Sequence, residues 1–403
     1  MSEERNKQIS PPHENPTGKM YFCGLILYIL LYLQYETQWE YGGAISWGLK
    51  MFAISVLALQ TILTFPLYKK PIEKLVFILA LMLTCIVGVN AGHIKGTNSL
   101  YDLLIVFLLV FGAKGVEFRK IVKIYWIVGG IYCFVTVCAS LMGIIDNLAD
   151  VANRDEDTIG AVDTYDRMSL GYGWSTNMAN HVLFILLAYF YWVRRALKLK
   201  EILLYGLITS IVLYYTGSRL STFCIIIMLL ITFMYKTKYG KRFLTCRIVS
   251  FTLILCIPIF AYVSYYVTDA YDEADLTWMI VDTILSGRLS LGQEAFDRVG
   301  IPLWGQFYEM FSSARDDGVF YNYLDSSYIQ SLVINGLIYT LFLIFAYIVI
   351  CKRAYQRKDF FLLYSIFVAG GSAMIAQHFI EMYMNPFLIA LFATHTVDNK
   401  IKK

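Results

Sequence analysis

Apolar runs dominate the chain, broken by short polar stretches at a spacing that suits membrane-crossing helices. A hydrocarbon core about 30 Å thick needs roughly 20 apolar residues per helical span. Twelve runs approach that length: 20–35, 44–65, 75–90, 100–113, 124–145, 176–193, 202–216, 220–235, 248–267, 326–350, 360–377 and 383–396. They are continuous, whereas the strands of a membrane β-barrel would alternate apolar and polar residues. Several runs are short for a full crossing, which leaves room for one re-entrant hairpin. The pattern predicts an all-α polytopic membrane protein of about 12 transmembrane helices.

Composition agrees. The 403 residues are 58% hydrophobic and 16% charged, far from soluble norms. The polar stretch 1–19 precedes the first run and no small-residue cleavage site follows it, so it reads as a cytoplasmic tail rather than a signal peptide. Loops on alternate sides divide Lys and Arg very unevenly, 26 on one side and 7 on the other, with Lys50 inside the second run. By the positive-inside rule the rich side is cytoplasmic, both termini lie there, and the net charge of +4 is a topology signal without bearing on nucleic acid. The resulting partition is a tail (1–19), spans one to nine (20–267), an outer loop (268–325), spans ten to twelve (326–396) and a short tail (397–403).

Within the outer loop, Ser290 and Gln293 form a capping-box pattern, Gly300 offers a stop and Pro302 blocks continuation. A short amphipathic helix over 291–299 is predicted. Lys50 lies near the outer end of its run and is expected to snorkel outward. Asp102, His181, His378 and Glu381 also fall at outer ends of runs, and no Asp, Glu, Lys or Arg is placed near a midplane. Ion-coupled transporters use ionisable groups at mid-depth, so the candidate chemistry belongs at the outer surface. The eight cysteines fall in spans or cytoplasmic segments without a CxxC pair, and the five histidines form no ligand cluster; no metal or other cofactor is expected.

The outer cations apart from Lys50 and Lys95 are all arginine, a residue suited to bidentate phosphate contacts. Arg219 sits in a tight turn, YYTGSRLSTF, either as a fixed cation for a pyrophosphate or as a snorkelling interfacial arginine. Arg288 leads the predicted helix, where it binds phosphate or pairs with a nearby acid such as Asp282 or Glu294. Arg298 and Arg315 are further candidates for substrate contact. Asp325 enters the tenth run in YNYLDSSYIQ, where it caps the helix, orients the arginines or accepts a proton from a sugar hydroxyl. Tyr328 is a candidate for lining a sugar site. Asn177 and His181, four apart, share a helix face that lines a glycan cavity or bonds neighbouring helices. His378 and Glu381 complete the candidates, the first as base and the second in substrate contact.

Gly287, Arg288, Phe296, Pro302 and Gly305, followed by Asp325, Ser326, Tyr328, Asn335 and Gly336, with Arg219 in the preceding outer turn, resemble the Wzy-type polysaccharide polymerases of the O-antigen ligase/polymerase superfamily. The resemblance implies transfer of a growing glycan from undecaprenyl pyrophosphate to a sugar hydroxyl of a second lipid-linked repeat unit. It also implies a bacterial cytoplasmic membrane, with flippase and chain-length regulator proteins as partners. In that picture Arg219 and Arg288 hold the pyrophosphate, and Asp325 or His378 serves the acceptor. Two departures stand out. Ligase-type relatives tend to carry histidine where this chain has Asp325, and an aromatic residue often found after the Gly-Arg pair is replaced by Leu291-Gly292. A lipid-linked oligosaccharide flippase and an O-antigen-ligase-type transferase are the alternatives.

Overall fold

The computed structural model describes residues 16–39, 42–94, 97–150, 167–311 and 322–395. Its helices are α1 Pro16–Tyr35, α2 Gly43–Thr64, α3 Pro71–Ala91, α4 Ser99–Gly112, α5 Phe118–Leu141, α6 Ser175–Val193, α7 Leu199–Thr216, α8 Arg219–Lys236, α9 Lys238–Leu244, α10 Arg247–Ile254, α11 Cys256–Asp269, α12 Leu276–Ile284, α13 Arg288–Val299, α14 Ser327–Gln330, α15 Gly336–Gln356 and α16 Phe360–Ser372. The β-structure with a printed register is two small antiparallel hairpins, His93–Ile94 with Thr97–Asn98 and Ala149–Asp150 with Arg167–Met168.

The sequence punctuates these helices by familiar means. Pro71 opens α3 at a position where its missing N–H is not needed. Gly217, with φ +61°, closes α7 in the left-handed conformation, so that only Ser218 separates it from α8. Outward faces are apolar, with Phe134, Leu203, Phe223 and Phe233 exposed, as suits contact with lipid. By contrast α6 lies inside the bundle, with both its apolar residues and the polar Asn177, Asn180 and His181 buried.

Seven helical segments are long and apolar enough to cross a membrane: Gly18–Tyr35, Gly43–Leu67, Pro71–Ala91, Phe118–Leu141, Leu199–Thr216, Arg219–Lys236 and Ser327–Gln356. The pair α10–α11, bent by 54°, makes an eighth if it forms one crossing. This is a multi-pass membrane protein. Ser327–Gln356 includes a π-helical turn over Ser331–Asn335, at which Gly336 takes φ +85°.

The end of the chain departs from expectation. α16 stops at Ser372 after 13 residues, about 20 Å of rise and two-thirds of the hydrocarbon thickness. The run at 383–396 forms no α-helix where it is described; its longest regular piece is the 3₁₀ turn Phe387–Leu391. Pro386 lacks a donor, and the Asn385 side chain takes over local backbone groups, donating to Phe379 O at 2.7 Å and accepting from Phe387 N at 3.1 Å. Further carbonyls are met by Tyr125 on Met382 O and by Arg353 on Leu391 O (2.8 Å). Irregular backbone of this kind is tolerated at membrane depth only when protein encloses and satisfies it, and 382–390 is buried throughout.

Candidate functional site

Arg288 is the first residue of α13, not a residue preceding a helix over 291–299. The turn that delivers it uses two left-handed residues, Ser286 (φ +60°) and Gly287 (φ +77°). The predicted capping box is not formed. Ser290 Oγ donates instead to Gly287 O at 3.0 Å, and Gln293 Nε2 to Tyr271 O at 2.6 Å. The orphan amides at the helix start are served by Asp282 of α12, whose Oδ1 accepts from Leu289 N at 2.7 Å. Burial raises the phenol pKa of the neighbouring Tyr271, and the negative charge of Asp282 adds to it. Gly300 (φ +69°) ends α13 as expected.

The Arg288 guanidinium makes three contacts with three segments: Nε to Ile375 O at 3.0 Å, Nη1 to Leu285 O at 2.7 Å, and Nη2 to Asp325 at 2.9 Å. Its acidic partner is therefore Asp325, while Asp282 is committed to the helix. Asp325 is not the helix cap either; Ser326 precedes α14 in that position and makes no capping bond. A guanidinium carries five N–H groups, so these three contacts leave two for a ligand.

Arg288 lines a cavity of about 380 Å³ between α8, α11 and α16. Leu220, Phe223, Phe260, Val267, Phe367 and Met374 make it apolar. Ser264 and Ser326 also line it, and their buried hydroxyls have no hydrogen-bond partner. Arg219, the residue before the lining Leu220, is exposed and makes no hydrogen bond or ion pair among the described residues. Of the two arginines, Arg288 lines the cavity and Arg219 does not. Arg298 is exposed near the end of α13 and does not line it. Arg315 lies outside the described residues.

A second polar cluster lies along the irregular segment after α16. His378 pairs with Glu381 through Nδ1; Tyr383 donates its hydroxyl to Glu36 at 2.8 Å and contacts Glu381 at 2.5 Å; Asn177 donates to Glu36. His181 meets the Tyr172 hydroxyl at 2.6 Å. Asn177, His181, His378 and Glu381 are therefore brought together, by helix-to-helix bonding that buries the first three. Tyr328 is not: its hydroxyl donates to Gly370 O at 3.0 Å inside the core. Glu36 escaped the sequence reading because it follows a span without a motif, and Tyr383 because it falls in an apolar run.

The two clusters are joined by one short stretch of chain. Ile375 holds Arg288, Gln377 meets Tyr323, and His378 opens the second cluster. Three Cα–Cα steps bound the separation of the Ile375 and His378 backbones at about 11 Å. The chain therefore brings together a fixed cation beside an apolar cavity and a hydrogen-bonding cluster rich in carboxyl groups. Lys50 corrects another expectation: it is buried, not snorkelling, with Nζ 2.8 Å from Asp102, which also accepts from Tyr32. Among the described residues, no group of three or more His, Cys, Asp or Glu is arranged to hold a metal ion.

Comparison of the chain with protein-family models, with curated proteins and with solved structures returned no match.

Proposed function

We propose that the protein polymerises polyprenyl-pyrophosphate-linked oligosaccharide repeat units on the outer face of a bacterial cytoplasmic membrane. The donor is a growing glycan on undecaprenyl pyrophosphate, and the acceptor is a hydroxyl of a second lipid-linked unit. The carrying observation is Arg288, fixed in the lining of an apolar cavity with two N–H groups to spare. That juxtaposition suits an amphiphile with an isoprenoid tail and an anionic head. Arg219, exposed at the start of α8, adds a second cation to the same head group.

In this scheme the diphosphate is the leaving group, and the guanidinium groups stabilise the charge that develops on it as the glycosidic bond breaks. The half-buried carboxyl groups of Glu36 and Glu381, held by Asn177, His378 and Tyr383, offer acceptors to the acceptor sugar. Exposed aromatics at Trp304 and Phe307 suit stacking on sugar rings. The orientation, with both termini cytoplasmic and 268–325 outside, belongs to this proposal. It draws on the uneven distribution of Lys and Arg.

A flippase for the same lipid is the second candidate, favoured by one observation: Lys50, expected to snorkel outward, is buried in the bundle and paired with the half-buried Asp102. Purified protein in liposomes supplied with lipid-linked repeat units separates the two. A polymerase yields a ladder of longer glycans and frees undecaprenyl pyrophosphate. A flippase changes lipid sidedness and leaves glycan length unaltered, and that result would overturn the polymerase assignment.

A further inference from the structure

Arg288 has an unusual division of partners for a residue that is to hold a diphosphate. Two of its contacts are neutral carbonyls, Leu285 O and Ile375 O, on either side of the guanidinium in sequence. The third is a carboxylate, Asp325, with 22% of the arginine side chain and 25% of the aspartate side chain exposed. The carbonyls fix the guanidinium whether or not a carboxylate is present. A diphosphate offers more charge and more acceptor atoms than a carboxylate, so it is the stronger partner for the same cation.

A second observation points to a ligand at this place. Ser326, next in sequence to Asp325, is only 8% exposed and its Oγ has no partner, yet it lines the same cavity as Arg288. Ser264 on α11, 4% exposed, is in the same condition in the same cavity. Buried hydroxyls are ordinarily bonded. Two unpartnered hydroxyls on residues lining one cavity, which Arg288 also lines with N–H groups left over, point to a binding site for oxygen atoms in an otherwise apolar cavity.

We propose that Asp325 competes with the lipid diphosphate for Arg288, and that the exchange releases the Asp325 carboxylate from this arginine and lets it take the proton of the acceptor hydroxyl. This inference rests on the lipid-diphosphate assignment above and adds an order to it: the donor must arrive before the acceptor is activated. In the step itself, the acceptor O–H proton passes to Asp325 and the acceptor oxygen bonds to the anomeric carbon of the donor glycan. The bond from that carbon to the diphosphate oxygen breaks, and the diphosphate leaves with the electron pair. Asp325 then returns its proton to solvent. Ser326 donates to a diphosphate oxygen throughout.

The test measures binding of undecaprenyl pyrophosphate to the full-length protein in lipid nanodiscs, together with chain elongation in liposomes. Asp325→Asn keeps the shape and removes the competing charge. It should bind the lipid about fivefold tighter, the worth of one partly exposed ion pair, while elongation falls by about 100-fold or more. Ser326→Ala should weaken binding. Asp325→Glu, a check should the amide variant fold poorly, keeps the competitor and should bind no tighter than wild type while retaining measurable elongation. Unchanged or weaker binding by a folded Asp325→Asn protein, or tighter binding by Asp325→Glu, overturns the exchange. A wild-type protein that neither binds undecaprenyl pyrophosphate nor elongates removes the underlying assignment instead. A wild type that does both, beside an Asp325→Asn variant that binds no tighter, removes the exchange alone.

Discussion

Glu36, immediately after the first helix, accepts a hydrogen bond of 2.8 Å from Tyr383 at the far end of the chain. The same phenol lies 2.5 Å from a Glu381 oxygen. A phenol has one proton and donates to one carboxyl at a time, so the second contact is a hydrogen bond only when a carboxyl supplies its own proton. The three groups are thus built to share protons, and they tie the first helix to the irregular segment after α16. Tyr383→Phe removes the shared hydroxyl and leaves two half-buried acceptors with one donor fewer. It should destabilise the protein by about 0.5–1.5 kcal/mol, read as a lower unfolding temperature in detergent. An unfolding temperature equal to wild type would show that the phenol is not part of the tie.

The Lys50–Asp102 pair holds α2 against α4 and, through Tyr32, against α1. Removing one member of a fully buried pair costs about 3–5 kcal/mol. Asp102 keeps 31% of its side-chain exposure, so the loss here should fall below that range, at about 1–3 kcal/mol for Lys50→Met. Asp102→Asn should be milder, since the amide oxygen still accepts from Tyr32. Chemical unfolding of the two variants, compared in one detergent, checks both the size and the order of the losses.

Residues 302–306 dock on the π-helical turn at 331–336 through three backbone bonds: Gln306 N to Ile334 O (2.9 Å), Leu337 N to Pro302 O (2.8 Å) and Ile338 N to Leu303 O (3.2 Å). Gly336 has φ +85°, and a Cβ there would lie 2.5 Å from Gly305 N and 2.9 Å from the Pro302 and Leu303 carbonyls. Gly336→Ala should therefore undock this stretch, lowering the unfolding temperature and sharply reducing any activity in liposomes. An alanine variant indistinguishable from wild type in both would show that the close approach is dispensable.

Sidedness gives a fourth prediction. Ala274 is exposed in the segment between α11 and α12, and Tyr239 is 87% exposed on α9. With cysteine at each position in turn, a membrane-impermeant maleimide added to intact cells should label position 274, and position 239 only after permeabilisation. The reverse pattern would put Arg288 in the cytosol and end the outer-face assignment.

The sequence made the helical membrane class readable because continuous apolar runs have few other stable uses. It also revealed α13, whose Gly300 stop and amphipathic pattern are local signals. It misplaced what depends on tertiary contact. The last apolar run looks like a span by composition, yet Asn385, Pro386 and partners on α5 and α15 hold it irregular. Lys50 looks like a snorkelling residue until Asp102 is seen beside it. Arg288 and Asp325 were each visible as candidates, but their pairing across 37 positions of chain was not. The motif residues Pro302, Gly305, Asn335 and Gly336 mark a docking of backbone on backbone rather than direct chemistry.

The central claim is that Arg288 receives the diphosphate as it leaves, and elongation of lipid-linked repeat units in liposomes by Arg288 variants tests it most directly. Arg288→Ala, present in the membrane at wild-type abundance, should give no glycan ladder and free no undecaprenyl pyrophosphate. Arg288→Lys should recover little, because an ammonium cannot satisfy two carbonyls and a diphosphate in one planar fork. A full ladder from the alanine variant would contradict the account.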